Sequence, residues 1–286
     1  MTGGPGWELS CDAEAFCRET AAYLRADPAR CTVLLTTAQT LRRHGPRAYG
    51  GATPRCGWWR AAADGPVEGA FVHAPPFPPA LGSMPRRAAR ELAAVLRLTG
   101  TDLPGVQGTD GSVLPFARAW AGGGWTVTRR LRLLGLAEPP VPLPAPPGSD
   151  RPATPADMPL AVAWLRGFTT DTGLVPSTDA DLTAQARRRI ADGALHLWED
   201  GGRPTAMAAR SAVVAGQARI GPVYTPPQYR GRGYGGAVTG AATRAARAAS
   251  ARQVLLFADT ANPTSNDLYA RLGYRLLDQH SDVAFT

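Results

Sequence analysis

The residues best suited to chemistry crowd into one stretch, Ala218 to Tyr274. An apolar strand there runs into Thr225-Pro226-Pro227-Gln228-Tyr229, then into Arg230-Gly231-Arg232-Gly233-Tyr234-Gly235-Gly236, and then into an Ala-rich helix. Glycines at a strand-to-helix junction let the backbone turn tightly and come close to a ligand, because no Cβ intervenes. The amides that open the helix, with the positive end of its dipole behind them, form an anion site. The expected ligand is therefore phosphorylated.

Two kinds of phosphate loop fit these letters. Gly231, Gly233 and Gly236 spell G-x-G-x-x-G, and Asp259 ends the next strand, Val254 to Asp259, about where a dinucleotide-binding fold places its ribose-binding acid. Three features argue against that fold. Thr225 to Tyr229 separate the glycines from the strand, too little chain follows for a doubly wound sheet, and the downstream segment carries a pattern of its own.

Read as Arg230-x-x-Gly233-x-Gly235, the same residues resemble the coenzyme A loop of the Gcn5-related N-acetyltransferase (GNAT) superfamily. Asn262, Ser265, Tyr269, Gly273 and Tyr274 follow that family's N-x-x-[AS]-x-x-x-Y-x-x-x-G-[FY] pattern, and Arg151 to Asp157 looks like its opening strand and first helix turn. The resemblance covers residues 149 to 286. It implies acetyl-CoA or another acyl-CoA as co-substrate, held by Val223, Tyr224, Thr225, Arg230, Gly231, Arg232, Gly233, Tyr234, Gly235, Gly236, Asn262 and Ser265, with no metal.

It further implies that strand 218–225 splays from its neighbour and offers a backbone edge to the pantetheine arm. Pro226 and Pro227, which cannot donate ladder hydrogen bonds, would help end the pairing there. Tyr269 is the expected catalytic acid, a phenol able to protonate the departing thiolate. The general base stays open among Asp171, His196, Glu199 and Asp259, because the strand before the loop has Gly221 and Pro222 where many family members keep a glutamate. The implied reaction is acyl transfer, most simply acetyl transfer, to a primary amine of a small molecule or peptide. A longer-chain acyltransferase, an acyl-thioester decarboxylase and a non-catalytic acyl-CoA sensor are the alternatives. The acceptor would be met by the segment Gly167 to Asp181.

The formal charge is +8, and all 31 basic residues are arginine. They are scattered rather than blocked, with no basic run interleaved with aromatics, so nucleic acid is not the expected partner; a polyanionic small ligand suits the charge better. Cys11, Cys17, Cys31 and Cys56 match no zinc spacing, and residues 1–10 lack the features of a secretory signal. Buried, reduced thiols in a cytoplasmic protein are expected. With no apolar run of about 18 residues, no membrane span is expected.

The length suggests two domains. Glu138 to Pro159 is proline-dense and cannot sustain a helix or a central strand. The expected division is a domain at 1–138, a linker at 139–148 and a catalytic GNAT domain at 149–286. The second half reads as strand 149–153, helix 155–168, loop 169–177, helix 179–192, strands 194–200, 204–214 and 217–225, helix 233–250, strand 253–259, helix 263–272 and strand 274–285.

The first half reads as a weak, collinear copy. Val72-His73-Ala74-Pro75-Pro76 echoes Val223 to Pro227, and an Ala/Arg-rich helix from Pro85 to Leu98 follows. The strand from Gly105, the helix through Phe116 to Trp120 and Gly124 to Val127 echo the later elements. Its loop, Pro75 to Arg87, has no R-x-x-G-x-G, so this half is not expected to bind coenzyme A. The Trp58-Trp59 pair is expected in the core. The expected fold is α/β (α+β), two tandem GNAT-like domains, each a mixed, mostly antiparallel sheet flanked by helices.

Overall fold

The computed structural model describes residues 4–49, 52–141, 144–174 and 178–286. Parts of the proline-dense linker (residues 142 and 143) and of the expected acceptor loop (residues 175–177) lie outside the described residues.

The first series of elements runs β1 (Gly6–Ser10), α1 (Ala13–Glu19), α2 (Ala21–Ala26), α3 (Thr32–His44), β2 (Arg55–Arg60), β3 (Val67–His73), β4 (Ala80–Leu81), α4 (Arg86–Leu98), β5 (Gly105–Thr109), α5 (Asp110–Ala121) and β6 (Trp125–Leu136). The second runs β7 (Ser149–Pro152), α6 (Met158–Asp171), α7 (Asp179–Ala191), β8 (Leu195–Asp200), β9 (Arg203–Arg210), β10 (Gln217–Tyr224), α8 (Tyr234–Ala248), β11 (Gln253–Asp259), α9 (Pro263–Arg271) and β12 (Arg275–Phe285). Each series is a strand, helices, three strands, a helix, a strand, a helix and a strand, so the succession expected from the sequence is repeated in full.

The repeat differs from expectation at one point. The strand that ends at His73 does not lead into α4, because β4 intervenes, paired antiparallel with β3 and parallel with β5. In the series it is β4 that occupies the place of β10. Prolines 75, 76, 78 and 79 supply no amide for a ladder, which ends β3 early and leaves β4 two residues long.

By contacts the chain forms two compact units, neither contiguous in sequence. One comprises 1–133, 258–261 and 277–286, and the other 134–257 and 262–276. In the first unit the strand order begins β1-β2-β3-β4-β5-β12. The final strand β12 pairs antiparallel with β5 through His280↔Thr109 to Ala284↔Gly105. Val283 joins Trp59, Phe71, Leu92, Val106 and Phe116 in the core, and Phe285 packs against it. Trp58 and Trp59 are both buried, as expected, and the Trp59 indole donates to Glu91 at 2.7 Å. Cys31 and Cys56 are buried, Cys17 is intermediate and Cys11 is exposed, so burial of the thiols holds for only part of the set. Burial pushes the Cys56 thiol up to about 12, which keeps it protonated and unreactive.

The second unit orders its strands β11-β10-β9-β8-β7, with only β10–β11 parallel. Its core sets Trp164 and Leu165 of α6 and Leu182 and Ala186 of α7 against Leu195 and Leu197 of β8 and Met207 of β9. The alternate residues Leu195 and Leu197 share one face of the strand, as a period of two requires.

The entry to α6 is clamped electrostatically. Arg151 donates to both oxygens of Asp157 at 2.8 and 3.0 Å and to Glu199 at 2.6 Å, while Asp157 accepts from the Thr154 amide at 2.7 Å in a capping box. These bonds, Arg151 first, hold the Asp157 carboxyl down at about 2 against an ordinary 3.8. The native state thus binds fewer protons here than the unfolded chain, so this stabilisation is complete above the ordinary value and is lost as pH falls through about 2. Thermal melts between pH 5 and pH 2 should show a steeper loss of Tm in the wild type than in Asp157→Asn. Parallel curves would mean that the clamp contributes no pH dependence.

Candidate active site

β10 positions everything that follows. Its pairing with β11 runs from Gln217↔Gln253 to Ile220↔Leu256, where the register ends. On its other side β10 stays paired with β9 at Val223↔Ala208 and Tyr224↔Met207, across a register shift between Ile220 and Val223. The strand therefore bends away from β11 while held by β9, leaving the β11-facing backbone edge of Gly221 to Tyr224 without a strand partner. A shift of this kind re-aims a strand locally, and the edge offers the donors and acceptors that an amide-bearing chain can pair with.

The loop past β10 closes through Tyr229 N to Pro226 O at 2.9 Å and Arg230 N to Pro227 O at 3.3 Å. Gly231 and Gly233 then adopt φ of +75° and +86°, left-handed backbone that favours glycine. Gly233 heads α8 with no side-chain cap, and the first intrahelical bond of this turn is Ala237 N to Gly233 O at 3.1 Å. The amides of Tyr234, Gly235 and Gly236 thus open the helix without intrahelical acceptors. Behind them the helix buries Val238, Ala241, Ala242 and Ala246, small residues that bring its axis close to the sheet. Gly235 also lies against Thr225: a Cβ there would come within 3.1 Å of Thr225 Oγ1.

The expected cofactor residues divide by role. Val223, Tyr224 and Thr225 lie on or just past the open edge, and Gly231 to Gly236 form the loop and helix start. Arg232 is exposed beside that start. The Tyr234 ring is buried, its phenol donates to Asp200 at 2.5 Å, and it meets Tyr229 edge-on at 6.4 Å, so the ring is spent on packing and its backbone amide is what the helix start offers. The Arg230 side chain turns back, donating to Thr225 O at 3.0 Å and pairing with Asp171 at the last residue of α6. Asn262 and Ser265 spend their side chains on the start of α9: Asn262 Oδ1 accepts from the Ser265 amide at 3.1 Å, and the Ser265 hydroxyl donates to Asn262 O at 3.0 Å.

Tyr269 is enclosed on α9, 8% exposed, edge-on to Tyr274 at 6.1 Å. Burial alone pushes its phenol up to about 12, so it carries its proton at neutral pH. Tyr274 differs in that its hydroxyl is shared with Thr243 at 2.8 Å. The four residues considered for the general base are all engaged or enclosed. Asp171 pairs with Arg230, Glu199 accepts from Arg151, and Asp259 sits with Arg129 at 3.7 Å and accepts from the Ala261 amide. His196 is buried with neither ring nitrogen hydrogen-bonded, and burial lowers its pKa.

The sequence pointed to Tyr224 and Gly167 separately but not to Trp164 or to the contact that joins them. Trp164 of α6 packs at 6.4 Å from the Tyr224 ring, and Gly167, one turn on, lets that ring lie against the helix: a Cβ at Gly167 would fall 2.7 Å from Tyr224 Cζ. A glycine inside a helix costs stability against alanine, and that cost was the available signal of a close approach.

In the first unit the equivalent loop is closed. The Met84 amide donates to Ser112 Oγ at 3.2 Å, Ser112 Oγ donates to Gly82 O at 2.9 Å, and the Tyr23 phenol donates to Ser83 O at 2.7 Å. Pro85 stands at the cap of α4 and has no amide to offer.

Comparison with known proteins agrees with this geometry. Residues 200–283 match the family model described as FR47-like protein. A GCN5-related N-acetyltransferase from Sphaerobacter thermophilus superposes with a TM-score of 0.61 at 17% identity, over 97% of this chain and 94% of that one. The chain thus has the fold of a GCN5-related N-acetyltransferase. A GNAT-family acetyltransferase from Colwellia psychrerythraea aligns at 12% identity and a TM-score of 0.57, over 94% of this chain and 96% of that one. A Drosophila protein aligns at 15% identity and a TM-score of 0.69, over 99% of both chains. The likeness thus extends over both series of elements. No curated protein matches. Among the described residues, no cluster suited to a metal ion occurs and no helix is long and apolar enough to cross a membrane.

Proposed function

We propose that the chain is an acyl-CoA-dependent N-acyltransferase that moves an acetyl group from acetyl-CoA to a primary amine of a small molecule or peptide. The observation that carries this reading is the unpaired edge of β10 running directly into the uncapped start of α8, with Gly231 and Gly233 in left-handed backbone between them. An amide-bearing arm ending in a pyrophosphate needs those two features, in that order.

In this reading the edge from Val223 to Thr225 pairs with the pantetheine, the amides of Gly231 to Gly236 receive the pyrophosphate, and Arg232 adds positive charge. The acceptor amine gives a proton to water before it attacks, and reacts as the free amine. Its nitrogen bonds to the thioester carbon, the C–S bond breaks, the nitrogen gives a second proton to water, and the sulfur leaves as thiolate to take a proton from Tyr269, which regains one from water before the next turnover. Burial keeps the phenol protonated, and a hydrogen bond from it stabilises the negative charge that develops on the sulfur. Asn262 and Ser265 serve by fixing α9, and with it Tyr269. A cytoplasmic setting, where acyl-CoA is available and thiols stay reduced, is part of the proposal.

Acetyl-CoA or coenzyme A, and not NADH, should raise Tm. At about 100 times the Kd, linkage adds roughly 2.7 kcal/mol to stability, which a thermal shift resolves. A shift with NADH and none with coenzyme A would overturn the reading. Calorimetry should give one coenzyme A per chain, because the loop before α4 has given its amide to Ser112. Two equivalents would show that the first unit also binds.

A further inference from the structure

The motif arginine is paired away from its own loop. Arg230 opens Arg-x-x-Gly-x-Gly, yet its guanidinium bonds Thr225 O and Asp171, the last residue of α6. Both partners are half-exposed, at 51% and 40%, so the pair lies in solvent, where an ion pair contributes little and opens readily. Asp171 stands where the helix dipole is negative, a position that favours a cation. Beside it Tyr224 leans on α6 over Gly167 with Trp164 behind, and Asp171 and Arg230 both act on the Tyr224 phenol electrostatically. A carboxylate at a helix C-terminus beside an aromatic ring has the chemistry of a site for an organic ammonium group.

Resting on the acyltransferase reading, we propose that Asp171 is the carboxylate that binds the ammonium group of the acceptor, and that Arg230 occupies it until a bound coenzyme A draws the guanidinium to its pyrophosphate. The polyanion outcompetes one carboxylate for Arg230, and the freed carboxylate is then left beside Tyr224. Asp171 is here a specificity-determining residue. It selects acceptors with a cationic amine on an apolar or aromatic body, and the exchange of partners makes acceptor binding depend on cofactor binding.

The test is calorimetry with 2-phenylethylamine as probe, on the full chain, with and without saturating coenzyme A. The probe should bind the coenzyme A complex at least about tenfold more tightly than the free protein, and Asp171→Asn should remove that gain, a loss on the scale of one charge-assisted hydrogen bond. Arg230→Gln should let the probe bind without coenzyme A. Coenzyme A affinity should be undiminished in Asp171→Asn, since Arg230 is released. Equal probe affinity in the wild type and Asp171→Asn, no probe binding to the complex, or weaker coenzyme A binding in Asp171→Asn would each overturn the proposal, the last by showing that the pair only braces the loop. Failure of the wild type to bind coenzyme A would instead fell the acyltransferase reading, and this proposal with it.

Discussion

Replacing Gly233 with valine is expected to abolish measurable coenzyme A binding, a loss of about a hundredfold or more. Space is not the obstacle, because a Cβ at this position would meet only Pro146, at an ordinary 3.8 Å. The obstacle is the backbone. Gly233 caps α8 at φ +86°, and holding a β-branched residue in left-handed backbone costs about 1–3 kcal/mol. The chain relieves that strain by moving φ, which turns the amides of Tyr234 to Gly236 away from the point where they converge. Gly233→Ala should be intermediate, since it has the same strain in φ without the branched Cβ. Calorimetry with coenzyme A, beside thermal melts of the apo variants, separates lost binding from lost fold. A folded Gly233→Val protein with wild-type affinity would remove the loop from the binding site.

Turnover in Tyr269→Phe should fall by about 10²- to 10⁴-fold, the range for a positioned proton donor, while affinity for acetyl-CoA is kept. Phenylalanine preserves the ring and its edge-on contact with Tyr274. Among the described residues no hydrogen bond engages the hydroxyl, and burial is the cause of its raised pKa. The substitution should therefore leave Tm near that of the wild type. A thiolate leaves tolerably well without a proton, which places the expected effect toward the lower end. With an amine acceptor found by thiol release, turnover within about twofold of wild type at unchanged Tm would return Tyr269 to the core as a packing residue. Tyr274→Phe provides the contrast, since it gives up the bond to Thr243 and should cost stability.

What was legible in the sequence is what short-range physics encodes. Glycines and prolines at fixed offsets imply a left-handed loop, a strand that stops pairing and a helix that starts without a cap, and each depends on residues within a turn or two of one another. The second series of elements was readable for the same reason, as β11 (Gln253–Asp259) appears with the expected ends. Asn262 and Ser265 were also visible as a motif, although their local geometry spends both side chains on the cap of α9.

Contacts between distant residues decided the rest. The open edge of β10 depends on where its register with β11 ends, at Ile220, and register comes from packing across strands. That β12, the last strand, completes the core around Phe116 in the first unit depends on pairing with β5, far away in sequence. The closing of the first unit's loop by Ser112 and the pairing of Arg230 with Asp171 join groups 30 and 59 residues apart. The amino-acid sequence by itself therefore determined the local chemistry of a candidate phosphate loop and a candidate acid. The tertiary structure decided which backbone edge is open, which loop is sealed and which carboxylate the motif arginine holds, because each of these is settled by groups that meet only after the chain has folded.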